Sequence, residues 1–325
     1  MRAPDFWRRD GLAPALLAPL AWGFAAAGRA RRAFARPARA PCPVVCVGNL
    51  VVGGAGKTPA TLALARRLKE AGHNVHLLGR GYGGRRRGPL RVDHARHDAR
   101  EVGDEALLLA AEAPTWVARD RVAGARAAAQ AGAEVVVMDD GFQYPGLEKD
   151  LSLLVVDARY GFGNGRVMPA GPLRETLADG LARAQALVLV GDDGHGLKPR
   201  LEELKPSVLG AHLEPGPEAA ALGGKRVLAF AGIARPGKFF HTLETLGCRV
   251  AAARAFPDHH RYDPDEIMTM VEDAHRLDAV PVTTEKDAVN LPPEARPMVK
   301  VVPVHLVFNE PQAVDVLLAP LLEGG

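Results

Sequence analysis

The chain is poor in several things, and each scarcity excludes a class of protein. Three cysteines, Cys42, Cys46 and Cys248, occur among 325 residues. They form neither a CxxC pair nor an even set, which excludes a disulfide scaffold and a zinc ribbon and fits a reducing compartment. Cys46 lies in an apolar run, where a thiol packs as a small hydrophobe. Aromatic residues are only 5 % of the chain and the net charge is only +3. A nucleic-acid surface of basic residues interleaved with aromatics is therefore missing, and bulk charge names no partner. There is no internal repeat, and no low-complexity tract beyond short arginine clusters. What remains is 47 % hydrophobic and 24 % charged, the balance of a folded chain long enough for one large or two ordinary domains.

Residues Gly11 to Gly28, "GLAPALLAPLAWGFAAAG", carry no charge. Arg2, Arg8 and Arg9 precede them, and Arg29, Arg31, Arg32, Arg36 and Arg39 follow. A spanning helix needs about 20 apolar residues. This run is short of that and holds Pro14 and Pro19, and positive charge on both flanks gives no inside–outside asymmetry. A signal peptide and a buried helical hairpin are alternatives. The favoured expectation is a segment dipping into a membrane face with its arginines on anionic headgroups.

Beyond Pro43, short apolar runs alternate with amphipathic stretches. "PVVCVG", "NVHLLGR", "TWVA", "EVVVMDD", "LSLLVVD" and "ALVLVGD" read as strands, with helices expected over Thr58 to Glu70, Glu105 to Glu112 and Arg121 to Gln130. That alternation implies a parallel sheet with ligands at the carboxyl ends of its strands. A second α/β pattern starts near Lys225: strand "RVLAFAGI", helix Pro236 to Leu246, strand "CRVAAARAF", helix Pro264 to Arg276, strands "AVPVTT" and "VKVVPVHLVF", and a helix from Pro311. The Pro- and Glu-rich piece from Pro199 to Leu222 reads as a linker. The expected plan is an N-terminal segment over 1–40, a P-loop NTPase-like α/β domain over 41–215 and a smaller α/β domain over 216–325.

The most informative stretch is "VGNLVVGGAGKTP". A strand, a glycine-rich turn, Lys-Thr and a helix make a P-loop, in which glycines let backbone N–H groups face phosphate oxygens. Gly53, Gly54, Ala55, Gly56, Lys57 and Thr58 would bind ATP, with Lys57 on the β and γ phosphates and Thr58 on Mg²⁺. The standard pattern asks for glycine where Val51 stands. The deviant GGxGKT form asks for a lysine where Val52 stands, so the loop fits neither standard kind. Asp139 and Asp140, closing "VVVMDD", are the carboxylates a P-loop requires on a neighbouring strand: one for Mg²⁺, the other to orient a water or side chain. Capping a turn is their ordinary alternative.

Other polar clusters fall in loops: "VGDE" with Asp104 and Glu105, "PAGPLRE" with Arg174 and Glu175, "FPDHHRY", and "TTEKD". A helix N-cap would account for Asp104 alone. The paired histidines lack cysteine partners and zinc spacing, so acid–base work suits them better than a metal. Spacing and composition lead this far, to a P-loop phosphotransferase or ATPase at a membrane.

Taken in order, "GNLVVGGAGKTP", "RGYGG", "VGDE", "DDGFQ", "PAGPLRE", "FPDHH" and "TEKD" closely resemble the tetraacyldisaccharide 4'-kinase family, the lipid A 4'-kinases of Gram-negative bacteria. The match runs from about Pro43 to Asn290. Two departures are visible, Ala106 where the family has proline and Tyr144 where it has histidine. The resemblance implies transfer of the γ-phosphoryl of ATP to the 4' hydroxyl of a tetraacyldisaccharide 1-phosphate. Asp104 would accept the hydroxyl proton and His259 would pair with it from the other domain; His260 is left out. Glu175 would be a further Mg²⁺ contact near Asp139. The implied partners are the glycolipid and the membrane surface, at the cytoplasmic face of the bacterial inner membrane, with no nucleic acid and no obligate protein partner. "GRRRGPLR", Gly84 to Arg91, offers charge for a lipid phosphate or headgroups. A membrane-associated P-loop ATPase acting as a switch is the rival reading; it gives no reason for "FPDHH".

Overall fold

Every apolar run expected as a strand in the first half of the chain forms one, because a parallel strand covered on both faces must be apolar throughout. The computed structural model describes residues 4–193, 196–202 and 207–322. Its strands are β1 Val44–Gly48, β2 Val75–Gly79, β3 Leu90–Arg91, β4 Thr115–Val117, β5 Val135–Asp139, β6 Leu151–Asp157, β7 Ala186–Val190, β8 Ser207–Pro215, β9 Arg226–Ala231, β10 Arg249–Ala255, β11 Val280–Thr284, β12 Lys300–Val302 and β13 Val304–Phe308. Nine of them form one sheet in the order β13-β8-β7-β6-β1-β5-β2-β4-β3, and four form a second in the order β10-β9-β11-β12. In the large sheet only the edge pairs β13·β8 and β3·β4 are antiparallel. β1 lies between β6 and β5 with register Val45↔Leu151 and Val45↔Val137. Chain order reverses there, and the crevice at such a switch point is where open α/β sheets bind ligands.

Several helices start where a side chain caps them. Asp120 accepts from the N–H groups of Val122 and Ala123, Asp98 from those of Arg100 and Glu101, and Thr176 from that of Asp179. Each such cap stabilises its helix by about 1 kcal/mol. In the small sheet β9 sends alternate residues to opposite faces. Val227, Ala229 and Ala231 pack with Phe239 and Leu243, while Leu228 and Phe230 pack with Ile267 and Met270.

Two expectations about the second half need correction. The piece from Pro199 to Leu222 is not a linker. Among its described residues, Ser207–Pro215 is β8, inside the large sheet and parallel to β7. The single strand expected over "VKVVPVHLVF" is two. Pro303 has no N–H to offer a ladder, and the chain changes sheets around it: β12 closes the small sheet and β13 returns to pair with β8. The helix Pro311–Leu322 then buries Val314 and Leu318 in the large sheet's core. The boundary drawn at 216 therefore does not extend to 325; residues 304–322 belong with the large sheet.

The N-terminal run is one continuous helix, Leu12–Ala33, with Pro19 inside it, so the hairpin alternative falls. Its inner face places Ala21 in the large core, flanked by Leu17 and Ala25. The other face leaves Leu12, Leu16 and Leu20 at 84 %, 79 % and 64 % exposure, with Trp22 at 73 %. Three of the flanking arginines contact the protein itself, Arg29 and Arg31 while remaining exposed. Arg29 and Arg32 pair with Asp179, Arg32 also with Glu175, and Arg31 donates to the Gln143 carbonyl. Arg2 lies outside the described residues. No helix among the described residues is long and apolar enough to cross a membrane.

The two sheets meet through charge. Asp157, buried at the end of β6, pairs with Arg235 at 2.8 Å and with Lys238. Burial pushes its carboxyl pKa up, but Lys238 and Arg235 outweigh that and hold it below the ordinary value of 3.8. A depressed carboxylate contributes stability above its unfolded pKa and loses it as pH falls through the folded one. The difference in unfolding free energy between the wild type and Asp157→Ala is thus expected to be constant near neutrality and to shrink only below about 3.8. Denaturant titrations across that range check it; a difference that never shrinks would mean the carboxylate charge contributes nothing.

Candidate active site

The P-loop follows β1 directly, and its unusual sequence has a local cause. Val51 forms an antiparallel bridge with Leu173, and the Val52 N–H donates to the Pro172 carbonyl at 2.8 Å. The position that is glycine in standard loops is here held extended by the "PAGPLRE" segment, and an extended residue needs no glycine. Gly53 and Gly56 take left-handed φ values of 116° and 90°, where a side chain would be strained. The helix Lys57–Glu70 starts immediately after, so its free N–H groups and dipole face the same crevice. Ala55 is buried beneath the turn. A Cβ on Gly54 would sit 3.6 Å from Ala234, so the small unit covers the loop from the other side.

Thr58 and Asp139 come together as the motif reading expects. The Thr58 hydroxyl donates to Asp139 at 3.1 Å and that of Thr61 at 3.0 Å. Burial, then Glu105 and then Asp140, push the Asp139 carboxyl up to about 7, against Lys57. A buried carboxylate crowded by two others, beside a hydroxyl oxygen, is a hard oxygen donor set short of positive charge, and it fits Mg²⁺. Asp140 is engaged differently. Arg174 donates to it at 2.7 Å and Lys57 lies 3.8 Å away. Those cations outweigh burial and hold its carboxyl below the ordinary range.

Glu175, which the resemblance implied as a further Mg²⁺ contact, is engaged by protein groups. It is buried, pairs with Arg183 and, at 3.3 Å, with Arg32, and accepts from Gln143 at 3.1 Å. Its link to the aspartates runs through Gln143 and Arg174, which contact each other at 3.3 Å. Two arginines already neutralise it, one of them from the N-terminal helix. Among the described residues no three His, Cys, Asp or Glu side chains converge as a metal cage.

Across the crevice the structure brings Asp104 and His259 together, 155 residues apart, with Oδ2 to Nδ1 at 2.7 Å. Asp104 opens the helix Asp104–Glu112 behind Gly103, whose φ is 89° and whose Cβ position lies 2.3 Å from the Tyr82 carbonyl. The "RGYGG" turn thus presses on the backbone that presents Asp104, and the Tyr82 ring lies 5.6 Å from that of His259. His259 itself adopts φ 60°, uncommon for a residue with a Cβ, and its N–H donates to the Gly232 carbonyl at 3.1 Å. Burial raises the Asp104 pKa, yet the His259 contact and the Lys286 charge hold it below the ordinary value. The Asp104 contact raises that of His259, opposed by burial and Lys286. His260 faces Glu266 at 3.1 Å and stacks on Phe256, away from the pair.

Sequence reasoning missed Gln143, Arg174 and Lys286 as members of this site. Arg174 and Lys286 stood inside noted clusters, but only folding brings them to Asp140 and His259. The departures Ala106 and Tyr144 touch neither centre. Ala106 packs with Val102, Leu107 and Val117, and the Tyr144 hydroxyl donates to Asp120 at 3.3 Å beneath the Arg121 guanidinium.

Known proteins of the same build have been described. A sequence model of tetraacyldisaccharide-1-P 4'-kinase matches residues 13–322. The tetraacyldisaccharide 4'-kinase of Rhodospirillum centenum is 58 % identical over all of this chain and 98 % of its own. That of Rhodospirillum rubrum is 54 % identical over all of this chain and 99 % of its own. The crystal structure of LpxK from Aquifex aeolicus in complex with ATP superimposes with a TM-score of 0.77 at 27 % identity, covering 95 % of this chain and 99 % of that one. With fold, P-loop and the cross-sheet pair all carried on one matched length, the chain belongs to the tetraacyldisaccharide 4'-kinase family.

Proposed function

We propose that this kinase moves the γ-phosphoryl group of ATP to the 4' hydroxyl of a tetraacyldisaccharide 1-phosphate in lipid A biosynthesis, using the crevice between its two sheets. The observation that supports the site assignment is the 2.7 Å Asp104–His259 contact between the two units. The backbone N–H groups from Gly53 to Gly56 hold the phosphates, and Lys57 offsets charge gathering on the transferred group. Thr58 and Asp139 hold Mg²⁺, with Asp140 reserved for Lys57 and Arg174 and Glu175 bracing the loop. When bound, the ion supplies positive charge to the phosphate oxygens. Asp104 takes the proton of the attacking hydroxyl as its oxygen bonds to phosphorus; the bond from phosphorus to ADP breaks, ADP keeps the electron pair, and Asp104 later releases the proton to water. His259 belongs to the second unit, so the pair is complete only with the crevice covered, which keeps water from the phosphoryl group. Labelled ATP, Mg²⁺ and tetraacyldisaccharide 1-phosphate, followed by chromatography of the lipid, test this. Label in the lipid supports it, and ATP hydrolysis without labelled lipid favours the switch ATPase.

The acceptor's acyl chains hold it in a bilayer, since each buried CH₂ contributes about 0.8 kcal/mol, so the enzyme has to reach it there. We assign that contact to the outward face of the helix Leu12–Ala33, lying on the cytoplasmic surface of the inner membrane. Leu16→Asp with Leu20→Asp spares the inner face that buries Ala21. It is expected to lower co-sedimentation with anionic phospholipid vesicles at least about tenfold, from the transfer energy of two leucines. Unchanged sedimentation would refute the anchor.

A further inference from the structure

Lys286 stands at the one point of the acid–base pair that the mechanism above leaves unused. Its ammonium lies 3.4 Å from Nε2 of His259, the ring nitrogen turned away from Asp104, and 2.9 Å from Oδ1 of Asp258. It has little freedom to leave. The next residue, Asp287, is buried and accepts from the Gly232 N–H at 2.7 Å, the Tyr262 hydroxyl at 2.9 Å and the Thr284 hydroxyl at 2.6 Å. The preceding residue, Glu285, accepts from the Val304 N–H.

Donor and acceptor chemistry then restricts the imidazole. A carboxylate only accepts and an ammonium only donates. Nδ1, facing Asp104, must carry a proton, and Nε2, facing Lys286, must present a lone pair. The second carboxylate near Nε2, Asp258 at 3.7 Å, is the counterweight: alone it would draw a proton onto Nε2, and Lys286 neutralises it. The remaining groups around the pair are Glu105, one residue beyond Asp104, and the Tyr82 ring; Lys57 lies on the P-loop side. Without Lys286 both ring nitrogens would face carboxylates, and the imidazolium that results would bind the Asp104 charge needed for the proton.

We infer that Lys286 is a positioning residue that keeps His259 in the neutral form with its proton on Nδ1, so that no imidazolium neutralises Asp104 and the carboxylate stays basic enough to take the acceptor hydroxyl's proton. The inference rests on Asp104 being the base, and its first readout does not depend on activity. In protein labelled with ¹⁵N-histidine, the His259 resonances, assigned by their loss in His259→Gln, are expected to report a neutral, Nδ1-protonated ring at mildly alkaline pH. In Lys286→Met the same ring is expected to be an imidazolium there and to titrate at higher pH; Lys286→Arg restores the neutral ring. Alongside, kcat of Lys286→Met falls at least about tenfold, as a hindered base predicts. Its KM for ATP stays within about twofold, and the acid limb of the rate profile moves to higher pH. An imidazolium in the wild type, or identical His259 titrations in wild type and Lys286→Met, would overturn the inference. A wild type that left the lipid unlabelled would instead overturn the reading of the reaction, and the imidazole spectra would still decide the role of Lys286.

Discussion

Lys57→Ala is expected to cripple lipid phosphorylation, with kcat down by about 10²- to 10³-fold, the loss typical when a preorganised charge donor is removed from a transition state. The side chain is 11 % exposed and reaches to 3.8 Å from Asp140. It lowers the pKa of Asp139, Asp140 and Glu105 alike. Removing it strips the crevice of charge that the reaction needs on the phosphoryl oxygens and leaves three carboxylates facing incoming ATP. Lys57→Arg is not expected to rescue, since a planar guanidinium cannot replace a compact ammonium at the helix start. Retained labelling of the lipid in Lys57→Ala would remove the P-loop from the chemistry.

Asp104→Asn is expected to lower kcat by about 10² to 10⁴, the usual contribution of a positioned general base, with ATP affinity within about twofold. The amide has the shape of the carboxylate, and its oxygen can still accept from His259, so the crossing between the two sheets survives. Only the capacity to take a proton is lost. Single-turnover transfer together with direct ATP binding separates the two quantities. A large loss of ATP affinity would move Asp104 to the nucleotide side of the crevice.

How much of this was legible follows from the distance over which each signal acts. β1 and β7 carry no polar side chain, β5 only its terminal Asp139, and β6 only Ser152 and its terminal Asp157; the loop, Lys57 and Thr58 are contiguous, so local chemistry sufficed for them. β8 was hidden because only two of its nine residues are buried; it is a strand because it lies between β7 and β13, the latter about ninety residues later. Pro303 was visible, but that the chain changes sheets there is a property of two sheets and not of one proline. The Asp104–His259 pairing came from family resemblance, for nothing in "VGDE" calls for "FPDHH". The ion pairs of Glu175 were hidden for the same kind of reason: Arg32 and Arg183 come from another helix and another loop.

The return of the chain to the large sheet also constrains how the molecule can move. The small unit enters after Pro215 and leaves before Val304, and these two residues are paired neighbours on adjacent antiparallel strands. The Gly216 N–H donates across to the Pro303 carbonyl at 2.8 Å, adding one more rung. The small unit is thus an insertion carried on a two-stranded ribbon, not a bead on a single tether. A ribbon flexes across its face far more readily than in its plane, so a swing of the small unit would follow one fixed arc. Along such an arc His259 meets Asp104 from a single direction, and the approach of an acid–base partner becomes a matter of hinge stiffness rather than of diffusion.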